Sequence, residues 1–148
     1  MKPKILLLII GVLALLQSYV FGQECATSFT SHSTGSIISN YPVNISGTAT
    51  KPLNGHVWIL AHLEGFDGWY PQGNGERTIT DSKWVCTVYL GVPGETGFYE
   101  IAIAVVNDDG NQALNNWVRT ARANGYPPIP FPGVINNCSI NRIRVEKR

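Results

Sequence analysis

Phe98-Tyr99-Glu100-Ile101-Ala102-Ile103-Ala104-Val105-Val106-Asn107 is the stretch on which the fold turns. Tyr99, Ile101, Ile103 and Val105 fall on one face, with Glu100, Ala102 and Ala104 on the other. That period of two predicts the strongest strand of the chain. Immediately afterwards the period changes. Ala113, Leu114, Trp117, Val118 and Ala121 recur at helical spacing, opened by a cap at Asp108 or Asp109 and closed by Asn124-Gly125. The small side chains of Ala102 and Ala104 leave room for this helix, with Trp117, to lie close over the sheet.

Working outward, Val43-Asn44-Ile45-Ser46-Gly47-Thr48 alternates as a half-buried strand. Pro52-Leu53-Asn54-Gly55 is a turn by its residue types. His56 to Leu63 is apolar on both faces apart from its histidines, the pattern of a central strand covered on both sides. Gly65 to Gly75 reads as a long loop. Thr78-Ile79-Thr80 and the turn Asp81-Ser82-Lys83 lead into a strand from Trp84 to Leu90. A Pro-rich connection, Tyr126 to Pro132, carries the chain to a last strand, Ser139 to Val145. About seven strands, separated by turns every 8 to 12 residues, predict a mainly β protein, a β-sandwich with one α-helix inserted before the last strand.

Val43 to Ala49, a following strand with Trp58, Tyr70-Pro71-Gln72, and Lys83-Trp84 before Tyr89-Leu90-Gly91 form an ordered set. In this order they resemble immunoglobulin-like β-sandwich domains of bacterial and archaeal secreted or surface proteins, over about Ile38 to Val118. The resemblance implies a non-catalytic module. It implies no particular ligand, because function is grafted onto such folds site by site.

The front of the chain points to export. Lys2 and Lys4 precede an apolar run from Ile5 to Leu16, and Val20-Phe21-Gly22 offers a peptidase site after Gly22. The run is too short for the ~20 residues of a membrane span. The expected organisation is a signal peptide at 1–22, an N-terminal loop or first strand at 23–36, and the immunoglobulin-like sandwich at 37–148. Removing Lys2 and Lys4 takes the net charge from +1 to about −1. A near-neutral domain with 14% charged residues carries no electrostatic footprint for nucleic acid. The expected location is secreted, periplasmic or at the cell surface, with no transmembrane span once the signal is cleaved.

Three cysteines in an oxidising compartment imply one pair and one remainder. Cys86 shares a strand face with Trp84 and Val88 and is expected to be a packed, inert thiol. Cys25 and Cys138, near the two ends of the domain, are the expected disulfide. Asn44-Ile45-Ser46 and Asn137-Cys138-Ser139 place N-glycosylation sequons at Asn44 and Asn137.

No positioned nucleophile of the Gly-x-Ser-x-Gly kind occurs, and no enzyme activity or cofactor is expected. His56 and His62 share a strand face, but six residues of strand put them roughly 20 Å apart, too far to share a metal. Asn107-Asp108-Asp109-Gly110-Asn111 gathers oxygen ligands around a Gly turn without the distal Glu of a calcium loop. Its expected use is a helix N-cap. The loop Phe66 to Gly75 is the strongest recognition candidate. Trp69 and Tyr70 supply ring faces for a sugar or peptide, and Asp67, Gln72 and Asn74 supply directional hydrogen bonds. The competing use of Trp69 and Tyr70 is to plug one end of the sandwich. The function expected is a binding or adhesion module for a glycan or surface protein. The alternative is a structural or accessory subunit of a cell-surface assembly.

Overall fold

The computed structural model describes residues 24–148, so the expected signal peptide at 1–22 lies outside the described residues. Among the described residues there are eight strands: β1 (Ala26–Phe29), β2 (Ile37–Ile38), β3 (Val43–Thr50), β4 (His56–Leu63), β5 (Tyr70–Pro71), β6 (Lys83–Val88), β7 (Gly97–Val106) and β8 (Asn141–Lys147). One helix, α1 (Asp108–Thr120), precedes the last strand. The strands form a three-stranded sheet, β1-β3-β6, and a five-stranded sheet, β2-β8-β7-β4-β5. Pairing is antiparallel throughout except between β2 and β8.

The alternation in the sequence is expressed directly in burial. Val43, Ile45, Gly47 and Ala49 of β3 and Trp84, Cys86 and Val88 of β6 point inward, while Asn44, Val85 and Thr50 face water. Opposite them Val57, Ile59, Tyr99, Ile101, Ile103 and Val105 complete the core between the sheets. Gly47 is required here, because a Cβ would meet the backbone oxygen of Ser28 and the indole of Trp84. That indole crosses β3, donates from Nε1 to the Thr48 carbonyl at 3.1 Å, and receives the edge of Phe29.

The five-stranded sheet is apolar on its outer face as well. Trp58, Leu60, Ala102, Ala104 and Val106 form a second core with Leu114 of α1. The alanines on β7 let the helix approach, and Trp58 Nε1 donates to Asn111 Oδ1 at 2.9 Å, tying sheet to helix. Leu114, rather than Trp117, is the side chain the helix inserts; Trp117 is half-buried and donates to the Pro127 carbonyl. The cap is Asn107, one residue before the expected aspartates, accepting from the Gly110 N–H. Asp108 and Asp109 instead occupy the first turn, where their charge complements the helix dipole.

The chain is thus three layers: a three-stranded sheet, a five-stranded sheet, and a helix with the Pro-rich segment. Two short strands escaped sequence reading. β2 has two residues, and β5 lies inside the expected Gly65–Gly75 loop. Neither is long enough to show a period.

Cys25 and Cys138 are joined, with Cα atoms 5.1 Å apart, and Cys86 is the free, buried cysteine. The bond closes a loop with a sequence separation of 113. It fastens the chain just before β1 to the segment just before β8, beside the Asn141 side chain that donates to the Thr27 carbonyl. Loop-closure entropy puts its contribution at about 4–5 kcal/mol. Cys25→Ser with Cys138→Ser is expected to lower the unfolding free energy measured in urea by about 4–5 kcal/mol, and with it the midpoint, with the fold retained by circular dichroism. An unchanged midpoint would mean that strand pairing alone holds the two ends.

Candidate functional site

β5 is an edge strand, and the surroundings of that edge are where the candidate recognition residues fall. Tyr70 pairs with Ala61 and Pro71 with Leu60. Directly paired residues share a face, so Tyr70 points with Ala61 to the inter-sheet side. An open groove of about 1130 Å³ runs around this edge. On the inter-sheet side its wall is Tyr41, Tyr70, Tyr89 and Tyr99 with Leu63 and Glu95. On the helix side it is Trp117, Arg122, Tyr126 and Pro128. Phe66, Asp67 and Asn74 also line it. All five tyrosines of residues 24–148 face this one groove.

The aromatic walls are braced. Tyr41 donates to the Gly91 carbonyl at 3.0 Å and meets Tyr89 edge-on at 5.8 Å, while the Lys147 ammonium lies under the Tyr41 ring. Lys147 is itself buried and donates to the Leu90 and Val92 carbonyls, which fixes the β6–β7 turn. Tyr99 is held in its protonated form. Burial, with the Glu95 carboxylate beside it, pushes its hydroxyl up to about 12, and it donates to Glu95.

Of the five residues singled out from the sequence, Asp67, Tyr70, Gln72 and Asn74 line the groove. Gln72 is buried and spans two elements. Its Nε2 donates to the Tyr70 carbonyl and its Oε1 accepts from the Tyr89 N–H at 2.8 Å. It therefore positions Tyr70 against Tyr89. Asn74 sits at φ 58° in a turn clipped by Arg77, whose guanidinium donates to the Gly73 and Gly75 carbonyls. Gly73 has φ +72°, and a Cβ there would strike both Arg77 and the Cys86 sulfur. Burial pushes the Cys86 thiol up to about 11 against the opposing pull of Arg77, so it stays an unreactive packing group.

Trp69 behaves differently from its neighbour. It is 8% exposed and joins the second core. His62 stacks on it at 4.5 Å, Phe131 meets it edge-on at 5.0 Å, and the Arg142 guanidinium lies 5.1 Å from the ring centre. Its backbone N–H and carbonyl pair with Ile129 of the Pro-rich segment. Trp69 anchors the loop and leaves Tyr70 to the groove. Tyr89 and Trp117 carry no sequence signal as groove residues, since each is distant in sequence from the Phe66–Gly75 loop, and Tyr126 joins them from the head of the Pro-rich connection.

His56 makes a contact that spacing does not reveal. Its Nδ1 lies 2.8 Å from Glu76 and its Nε2 2.8 Å from Asp108. A neutral imidazole has only one N–H, so both contacts are satisfied only by the imidazolium. Burial pulls the His56 pKa down, but the hydrogen bonds and charges of Asp108 and Glu76 outweigh it, and the net shift is upward from 6.5. The imidazolium clamps the start of α1 to the β5–β6 loop. Among the described residues no group of three or more His, Cys, Asp or Glu is placed to hold a metal ion. A smaller cavity of about 450 Å³ beside β6 borders Trp84, which is itself fully buried. No helix among the described residues is long and apolar enough to cross a membrane.

Compared with known proteins, the chain matches no family model and no curated protein.

The contrast between neighbouring aromatics is measurable. Trp69→Ala is expected to cost about 3–5 kcal/mol in urea unfolding, as buried Trp truncations do. Tyr89→Ala, at a residue 48% exposed, is expected to cost much less. Equal losses would show that Tyr89 is a core residue.

The His56 clamp also has a pH signature. With the folded pKa raised, its contribution is complete below 6.5 and is lost as pH rises through the folded value. The expected size is that of a surface pair, because Asp108 is largely exposed and water screens it. Urea midpoints followed from about pH 5 to about pH 9 should fall in the wild type and flatten in His56→Gln. A wild-type curve that matches the variant at every pH would show that the clamp contributes nothing.

Proposed function

We propose that this chain is a non-enzymatic, extracytoplasmic binding or adhesion module that recognises a glycan or a surface protein through the groove around β5. The observation that carries this reading is the convergence of all five tyrosines of residues 24–148 on one open groove. Tyr99 aside, they are partly exposed, and a folded chain gains nothing by gathering wet aromatic faces in one concavity unless something covers them. The contact residues are Tyr70, Asp67 and Asn74 with Tyr89 and Tyr126. Gln72 and Trp69 position them. The two-sheet architecture and the ordered motifs from Val43 to Gly91 support an immunoglobulin-like assignment. The Cys25–Cys138 bond supports an oxidising compartment, and so a secreted, periplasmic or surface location.

The alternative role, an accessory subunit of a surface assembly, draws on β6. It is an edge strand of the three-stranded sheet, with Val85 exposed on it. A screen of the purified chain against a glycan array and a cell-surface extract separates the two. Binding that falls at least about tenfold in Tyr70→Ala, with unchanged circular dichroism, is expected for the recognition module. A stable oligomer that binds nothing in either screen would replace that reading with the subunit role.

A further inference from the structure

Resting on the reading of the groove as a binding site, we infer that its ligand is an extended, uncharged glycan chain. Four properties of the groove lead there.

The first is shape. The groove passes from the mouth between the sheets, over the β5 edge, to the helix layer. Layers spaced about 10 Å apart make that path roughly 20 Å long. An open run of this length fits a chain lying across it rather than a single terminal sugar held in a closed pocket.

The second is the arrangement of rings. One aromatic pair stands at each end: Tyr41 with Tyr89, and Trp117 with Tyr126, the latter at 6.4 Å between ring centres. Phe66 (66% exposed) and Tyr126 (55% exposed) present much of their rings to solvent. Flat faces separated along a groove suit the apolar C–H faces of successive sugar rings.

The third is the state of the backbone, and it argues against an extended peptide. Strand addition needs free main-chain donors and acceptors along an edge. Here Trp69 is paired in both directions with Ile129, the Tyr70 carbonyl accepts from Gln72, and Pro71 has no N–H. Across the groove the Tyr89 N–H is taken by Gln72, the Gly91 carbonyl by Tyr41, and the Leu90 and Val92 carbonyls by Lys147. The β5 edge and the facing wall therefore meet the ligand with side chains: ring faces, phenolic hydroxyls, an amide and a carboxylate.

The fourth is charge. Glu95 is occupied by the Val92 N–H and the Tyr99 hydroxyl. Its negative charge and that of Asp67 are matched by Arg122 and by the Lys147 ammonium under the Tyr41 ring, which leaves no net charge to select a polyanion or a polycation.

Affinity gel electrophoresis of the purified chain tests this directly. The probes are soluble xylan, mixed-linkage β-glucan and galactomannan as neutral chains, polygalacturonate as the acidic one, and immobilised casein digest in a parallel pull-down. Retardation by at least one neutral polysaccharide is expected, with none by polygalacturonate. Tyr89→Ala and Tyr126→Ala should each weaken it roughly five- to tenfold, while Tyr89→Phe, which keeps the ring, should retain most of it. Circular dichroism checks that each variant is folded. Retardation by polygalacturonate alone, or capture by the casein digest alone, would overturn the glycan inference and leave the binding module standing. Retardation by a neutral chain that both alanine variants retain would remove the groove as its site. No interaction with any probe, nor with the surface extract, would overturn both.

Discussion

The central pair of strands, β4 and β7, is apolar on both faces, and the rest of the molecule follows from covering them. Val57, Ile59, Ile101 and Ile103 need one lid, and Trp58, Leu60, Ala102 and Ala104 need another. The three-stranded sheet supplies the first. The second is assembled from α1 and the Pro-rich segment, which is why a helix sits between the last two strands. Hydrophobic burial, not local propensity, sets this order of layers, since neither lid could bury its own apolar face alone.

Closing the second lid decides what the Phe66–Gly75 loop can do. Ile129 and Phe131 come down over the outer face and take Trp69 with them, through its backbone and through its ring. The next residue, Tyr70, is turned to the opposite face by the pleat of β5 and emerges in the groove. One loop therefore provides both an anchor and a contact, in adjacent positions. Gln72, two residues on, links that loop to the end of β6, so the two sheets hold the tyrosines in fixed relation at little cost in side-chain freedom.

Much of this plan was legible in the chain. The faces of β3, β4, β6 and β7, the helix before the last strand, the Cys25–Cys138 pair and the buried Cys86 all follow from alternation, spacing and residue type. The short strands β2 and β5 were not legible, because two residues carry no period. Nor was the burial of Trp69. An aromatic in a Gly-rich loop has the same sequence signature whether it faces water or a core, and the segment that covers it lies some 60 residues further on. The His56 clamp was hidden for a similar reason. Its partners Glu76 and Asp108 come from two other elements, and nothing in their local sequence refers to His56.

By itself the sequence determined the class of fold, since a period of two, a switch to helical spacing and turn residues between them are local properties that survive any arrangement in space. It also put Asp67 and Asn74 in a polar, Gly-rich connection between β4 and β6. The tertiary structure alone decided that Tyr41, Tyr89, Tyr99 and Tyr126 would join Tyr70 around one groove. They come from a loop, the end of β6, β7 and the segment after α1, brought together only when three layers meet at the β5 edge. That convergence is a consequence of packing two lids on one sheet, and packing is the non-local part of the physics.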